Sequence, residues 1–184
     1  MLFRSLQTDF TRTFGGRTKL ETGYEGTLRQ LGNKYDVANF SNALNAYVPN
    51  VARTNSFDYD EQVHAVYGVV SKGAGKFDLQ AGLRAEQAST RFDLATTNER
   101  FDNSYESLYP SALVALNVDD TRQLKASYSK RVTRPDTRQL NPFGNREDAL
   151  NIFQGNPGLR PEYTHSFELG YQQSFDKEIG RAHV

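Results

Sequence analysis

The sequence predicts an all-β protein, an antiparallel up-and-down transmembrane β-barrel of which about seven strands are present. Three observations carry this reading. Most of the chain alternates with period two, and charge collects on one face of the alternating segments. The connections between segments alternate short and long. Mean hydropathy is low, at −0.69, although 12% of the residues are aromatic. That balance suits an apolar exterior around a wet interior better than a soluble core, which draws on more aliphatic side chains.

The elements follow in order. Residues 2–14 alternate weakly, with Leu2, Leu6, Thr8, Phe10 and Phe14 on one face and Ser5, Gln7, Asp9 and Thr11 on the other; Arg4 and Arg12 interrupt the apolar face. Gly15-Gly16-Arg17 marks a tight turn, where glycine tolerates positive φ. Residues 18–29 sort cleanly, Leu20, Thr22, Tyr24 and Leu28 opposing Lys19, Glu21, Glu25 and Arg29. A helix would not sort these residues. Gln30 to Ser56 lose the period and read as a long loop. Residues 57–71 form the next strand, with Val63, Ala65, Tyr67 and Val69 on one face. Its other face, Gln62, His64, Val66, Gly68 and Val70, is only partly polar. A short turn at Lys72–Lys76 leads into residues 77–92, where Phe77, Leu79, Ala81, Leu83 and Ala85 oppose Asp78, Gln80, Gly82, Arg84 and Glu86.

A second, shorter loop is expected over Asp93 to Ser104. Residues 105–118 are apolar on both faces, and Pro110 implies that one end is not regularly hydrogen-bonded. Asp119-Asp120-Thr121-Arg122 turns the chain into residues 123–132. A long loop rich in Pro, Asn, Gly and Arg follows, and the last strand covers 162–175. Transmembrane barrels place short turns on the periplasmic side and long loops outside, whereas a sandwich would not gather every long connection at one end. Gly15, Gly73 and Asp119 therefore mark the periplasmic rim. About seven strands are too few to close a wide lumen, and an open sheet edge is not tolerated in lipid. Residues 1–178 accordingly read as a wall section of a larger barrel.

Composition excludes several functions. Among 184 residues, 22 Lys and Arg balance 22 Asp and Glu, without the basic excess that nucleic-acid binding requires. There is no Cys, hence no disulfide framework, Cys-ligated metal or thiol chemistry. His64, His165 and His183 lie far apart, without partners at metal-ligand spacing. Neither Gly-x-Ser-x-Gly, His-Glu-x-x-His nor a phosphate-binding Gly loop occurs. Gly73-Ala74-Gly75-Lys76 shares only composition with such a loop. Ser111 and His165 have no third partner for a hydrolytic triad. No catalytic residue, cofactor or metal ligand is expected, and the chain does not read as an enzyme. Asp58, Asp60 and Glu61 are expected on a solvated rim rather than around a cation. No apolar run is long enough for a membrane-spanning helix, which leaves a barrel open. The opening MLFRSLQTDF lacks the features of a signal peptide, and Ile179–Val184 matches the translation of a common sequencing adapter; this tail is expected to be non-native.

Lys19, Glu21, Glu25, Arg29, Asp78, Arg84, Glu86, Lys125, Arg131 and Glu168 are predicted to point inward. They read as a hydrated, mixed-sign lumen wall or as contacts to a plug or a passing solute. Arg84, Glu86, Lys125, Arg131 and Glu168 are the candidates for lumen or plug contact. Phe14, Phe77 and Phe175 are placed in an interfacial girdle. Tyr24, Tyr67, Tyr128 and Tyr171 are placed on the lipid face. Among loop residues, Tyr35, Phe40, Tyr47, Phe101, Phe143 and Phe153 either pack the loops or stack on a ligand.

Several ordered motifs carry a family resemblance. They are Gln7-x-Asp9-Phe10, Leu20-x-x-Gly23-Tyr24, Ala65-x-Tyr67, Gly82-Leu-Arg-Ala-Glu86 and Tyr109-Pro-Ser111. Tyr128-Ser-Lys-Arg-Val-Thr-Arg-Pro135, Leu140-Asn-Pro-Phe143, Gly155-Asn-Pro157 and Glu168-Leu-Gly-Tyr171 follow. Across residues 5–175 the chain resembles the C-terminal half of TonB-dependent receptor barrels, most nearly the outer-membrane β-barrel family abundant in Bacteroidetes. The resemblance implies a barrel of about 22 strands with a plug in its lumen. It implies outer-membrane lipid and the TonB complex as partners, the latter through a plug that these residues do not contain. It also implies import of an unknown nutrient ligand; ferric siderophores, cobalamin, oligosaccharides and peptides all stay open. The alternative is a barrel that anchors or scaffolds surface assemblies without energised import. A soluble β-rich binding module is a further alternative, which solubility without detergent would favour. The loop residues Arg134, Asn141, Phe143 and Asn156 are candidate extracellular contacts. The X-Pro steps Arg134-Pro135, Asn141-Pro142 and Asn156-Pro157 also stiffen this loop without any ligand.

Overall fold

Among the described residues, seven antiparallel strands form one sheet in which neighbours pair in chain order, and a small two-stranded hairpin stands apart. The computed structural model describes residues 1–143 and 152–175. The strands are β1 (Leu2–Phe14), β2 (Thr18–Tyr35), β3 (Ala38–Ser41), β4 (Ala46–Pro49), β5 (Asn55–Ala74), β6 (Phe77–Leu94), β7 (Glu99–Asn117), β8 (Arg122–Thr133) and β9 (Glu162–Gln173). One helical turn, α1 (Thr137–Leu140), follows β8. The sheet is open, with β1 and β9 as its edges.

Neighbours in the sheet are neighbours in sequence apart from the β3-β4 insertion, so the pairing is up-and-down throughout. Residues 15–17, 75–76 and 118–121 connect strands at one end. Gly16, Arg17 and Gly75 adopt positive φ there (71°, 59° and 60°), as tight hairpin turns require. At the third turn Asp119 does the work of a backbone turn. Its Oδ1 accepts from the Thr121 amide (3.0 Å), the Thr121 hydroxyl (2.8 Å) and the Arg122 amide (2.9 Å), and its Oδ2 accepts from Arg122 Nε (2.6 Å).

The register sorts the side chains into two faces, because residues paired across strands share a face. Glu25 pairs with Ala65, Ala65 with Glu86 and Glu86 with Ser107. Lys125 pairs with Ala115 and Gly170, Ser127 with Glu168, and Arg131 with Thr164. All ten charges predicted to point inward lie on this one face. The other face carries Leu6, Phe10, Val66, Leu83, Leu108, Phe167 and Leu169, each at least half exposed. A soluble sheet would bury such a face; a membrane-spanning one gives it to lipid.

Four features differ from the sequence-based reading. Tyr67 lies on the charged face, not the lipid face. It pairs with Gly23 and Arg84, and its hydroxyl reaches the Asp9 carboxylate. Hydropathy could not orient β5, since Val63, Ala65 and Val69 on one face match Val66 and Val70 on the other. Residues 30–56 are not an aperiodic loop. β2 continues to Tyr35, and β3-β4 forms a hairpin held by an edge-to-face contact of Phe40 on Tyr47 at 5.3 Å. The expected loop over 93–104 shrinks to residues 95–98, because β6 and β7 extend and pair up to Leu94–Glu99. Polar strand surface such as Arg91, Asp93 and Asp102 hides the period when it lies above the apolar band. Finally, the loop after β8 contains α1.

The buried hydrophobic cluster sits at the long-loop end of the charged face. Phe57, Tyr59, Phe92 and Leu94 from β5 and β6 meet Leu140 of α1, with Leu31, Phe101 and Phe143 packed against them. Phe57 and Phe92 stack at 4.9 Å. The loop after β8 thus folds back over the wall rather than standing away from it.

Candidate functional site

Glu86 is the charged residue most removed from solvent on this wall, its side chain only 4% exposed. A buried carboxylate needs partners, since desolvation without compensation is prohibitive. It has three. Arg84, two residues along β6 and therefore on the same face, donates from Nη2 (3.1 Å) and Nε (3.3 Å) to Oε2. Arg134, from the loop after β8, meets Oε1 through its guanidinium. Tyr109 on β7 donates its hydroxyl to Oε1 at 3.4 Å. Arg84 also bridges to Glu25 Oε2 on β2 at 2.7 Å. Arg134 Nε donates to the Tyr105 hydroxyl at 3.0 Å. Burial lowers Arg134 from its ordinary pKa while Glu61 opposes the shift. A guanidinium retains its charge across any such change. Beside this group, Arg29 Nη1 lies 3.9 Å from Glu61 and its guanidinium is 5.8 Å from the Tyr59 ring centre.

The loop that delivers Arg134 is built to hold its shape. Asp136 caps α1, accepting from the Gln139 amide (2.8 Å) while Gln139 Oε1 accepts from the Asp136 amide (2.9 Å). This reciprocal box satisfies two amides that the helix leaves open. Gly155 and Asn156 then dock on the helix end, donating to the Asn141 (2.8 Å) and Gln139 (2.7 Å) carbonyls. A Cβ at Gly155 would lie 2.4–2.7 Å from three carbonyl oxygens, so only glycine fits. Asn103 on β7 donates to the Pro157 carbonyl at 2.9 Å, tying the returning segment to the wall.

The predicted site residues fall into distinct places. Arg84, Glu86 and Arg134 come together, although the first two were read as wall and the third as loop. Lys125 and Glu168 share the charged face but stay on β8-β9, where Lys125 Nζ donates to Gln172 (3.1 Å) and Glu168 accepts from Ser166 (3.3 Å). Arg131 faces the same side, exposed and opposite Thr164. Asn141 Oδ1 accepts from the Phe143 amide (3.0 Å), and Asn156 Oδ1 from the Gly158 amide (2.9 Å); both form local turns. Phe143 packs on the buried cluster. Asp58 and Asp60 lie on the outward face and Glu61 on the charged one, and no metal-binding group of three occurs among the described residues. Sequence reasoning missed Tyr105 and Tyr109. Their signals were the apolar second face of β7 next to Pro110 and, for Tyr109, the Tyr109-Pro-Ser111 motif.

With sheet, faces and cluster in place, comparison with known proteins decides the family. The family model for the outer membrane protein beta-barrel family matches residues 3–180. The chain belongs to that family. A solved structure of similar fold is the crystal structure of ferric citrate transporter FecA in the unliganded form. It aligns over 93% of this chain and 25% of that one, with a TM-score of 0.63 and 15% identity. The chain thus spans a quarter of that transporter's length. No curated protein matches. As a member of this family, the protein lies in the outer membrane.

Proposed function

We propose that this barrel wall belongs to a TonB-dependent receptor that imports a nutrient. The observation that carries the reading is the convergence of the wall charges Arg84 and Glu86 with Arg134 of the outer loop. A polar, partner-rich surface lies beneath a shaped loop on the extracellular side, where a solute enters. The fold likeness to a ferric citrate transporter supports it. Further strands pairing with β1 and β9 would close the barrel, since lipid tolerates no free edge. Residues 1–178 would form this wall, and 179–184, outside the described residues, a non-native tail. A plug domain would occupy the lumen and contact the TonB complex. Lys125, Arg131 and Glu168 would face that plug, and Asn141, Phe143 and Asn156 would shape the loop that meets the ligand. The reading assigns no catalytic step.

The test is uptake by cells producing the protein, with labelled ferric siderophore, cobalamin, oligosaccharide and peptide offered in turn. Accumulation of one of them, abolished when the proton gradient is collapsed, is the expected result. Surface binding of all probes without energised accumulation of any would overturn it in favour of an anchor or scaffold.

A further inference from the structure

The junction between β7 and β8 differs from the other long junctions of the sheet. β6 and β7 pair from Phe77–Leu116 to Leu94–Glu99, and β8 and β9 from Arg122–Gln173 to Thr133–Glu162. The β7-β8 ladder stops at Ser111–Ser129, although β7 continues to Glu99 and β8 to Thr133. The outward face of β7 stays apolar beyond that point, through Pro110 and Leu108, and turns polar only at Glu106. The split therefore enters the apolar band by three residues, about 10 Å at the rise of an extended strand. Pro110 sits where the ladder ends and has no amide proton to extend it.

Side chains bridge the opening instead of backbone. By alternation Lys130 and Tyr163 belong to the outward face, with Tyr128 and Phe167. Yet the Tyr163 hydroxyl lies 2.6 Å from Ser107 Oγ, and Lys130 Nζ is 4.6 Å from the Tyr163 ring centre and 6.0 Å from that of Tyr109. Ser107 and Tyr109 face inward, so these contacts pass through the split. A groove across the outer face of β2, β5, β6 and β7 reaches its β7 edge, and a cavity lies on its inner side. The outer groove, about 570 Å³, has an apolar floor of Val66, Ala85 and Leu108 and a polar end at Tyr24, His64 and Glu106. The inner cavity, about 420 Å³, lies beneath the loop, between Tyr59, Tyr105, Arg134, Leu140 and Tyr163, and it too reaches Glu106. Both volumes are in the range of small-molecule sites.

We propose that the upper β7-β8 seam is a lateral port, through which the acyl chain of a single-chain amphiphile passes between the outer leaflet and the cavity under the loop. The groove floor continues the lipid-facing band, so what fills it at that depth is hydrocarbon. The polar end at Tyr24, His64 and Glu106 meets the amphiphile's head. The port depends on the wall's place in the membrane and not on nutrient import, so failed uptake leaves it standing.

The test uses outer membranes holding the protein and lysophosphatidylcholine with a photoreactive diazirine at its acyl terminus. Crosslinks are expected at Leu108 and also at Tyr105 or Leu140, which line the inner cavity. Ala85→Trp, which fills the groove, should cut the inner crosslinks about tenfold. Ala126→Trp, equally outward on β8, should leave them unchanged. The amides of Glu106 and Leu108, which point into the split, should exchange faster than those of Ala112 and Val114 in the paired segment of the unaltered protein, a readout that needs no variant. Crosslinks confined to the outward face, inner crosslinks indifferent to Ala85→Trp, or equal protection of the two segments would each overturn the port.

Discussion

Neutralising Glu86 should loosen the outer loop and the wall together, and the size of the effect follows from the geometry. Glu86→Gln keeps the shape but removes the charge that Arg84 and Arg134 share. Breaking a buried ion pair by removing one partner costs about 3–5 kcal/mol. Here the Arg84 and Arg134 side chains remain 30% and 24% exposed, and Arg84 keeps Glu25 at 2.7 Å. Solvent and that second partner reduce the cost, so about 2 kcal/mol is expected. Arg134→Met should cost less, about 1 kcal/mol, because its long stem still packs and Glu86 keeps Arg84 and Tyr109. In the double variant the losses should fall short of additivity by about 1 kcal/mol, since both remove one interaction. The chain has no Trp, so unfolding in urea is best followed by heat-modifiable gel mobility of the protein in phospholipid vesicles. Additivity within about 0.5 kcal/mol would refute the shared anchor. So would a Glu86→Gln midpoint indistinguishable from that of Glu168→Gln, which alters an exposed carboxylate on the same face.

Other outcomes follow from single contacts. Gly23→Ala should destabilise the barrel by about 1–3 kcal/mol in the same assay, because a Cβ there would meet the Thr8 carbonyl and the Tyr67 hydroxyl, each at 2.5 Å; Tyr67→Ala added to it should recover part of the loss. Asp136→Ala removes the cap of α1 and should weaken the loop locally by about 1 kcal/mol, seen as faster amide exchange at Gln139–Asn141 with the urea midpoint unchanged. Leu169→Arg places a cation on the lipid face and should cost about 2–4 kcal/mol if near mid-bilayer, whereas Glu168→Arg on the lumen face should cost far less; equal costs would refute the assignment of faces and a reversed order would invert it. In the turn at 118–121, the hydrogen bond from Arg122, with those from Thr121, holds Asp119 well below the usual carboxylate range. Its folded-state pKa is depressed, so its contribution is complete above the ordinary value of about 4 and is lost only as pH falls through the lower folded value. A carboxyl titration of Asp119 followed by NMR in micelles should show a midpoint below the ordinary one, restored to normal range by Arg122→Ala.

The strands were legible because period two carries two facts at once, the conformation and the face. Glu21, Glu25, Arg84 and Glu86 announce the lumen side with no knowledge of partners. Where one face was polar above the membrane, as at Arg91 and Asp102, or both were apolar, as along β5, the pattern lost its power. Strand extension and the side of Tyr67 were then decided by cross-strand partners. The site was half legible. Arg84 and Glu86 were visible as a pair on one face, and Arg134 as a loop residue before proline. That they meet depends on the path of residues 134–143, set by the Asp136–Gln139 box and by Gly155 against the end of α1. These are distant in sequence, and no periodicity reports them.

The burial of Glu86 is therefore a property of the loop more than of its strand. Alternation alone would leave its carboxylate in a hydrated lumen, where a surface pair with Arg84 is worth little. Arg134 and Tyr109 close over it, and removing water is what makes each of its contacts strong. Because one carboxylate joins the wall to the loop, whatever draws Arg84 towards the lumen also changes the anchorage of Arg134, and the reverse holds equally by linkage. On the proposed function, a solute reaching Glu25 and Arg84 from the lumen and the loop resting on Glu86 would act on the same few atoms.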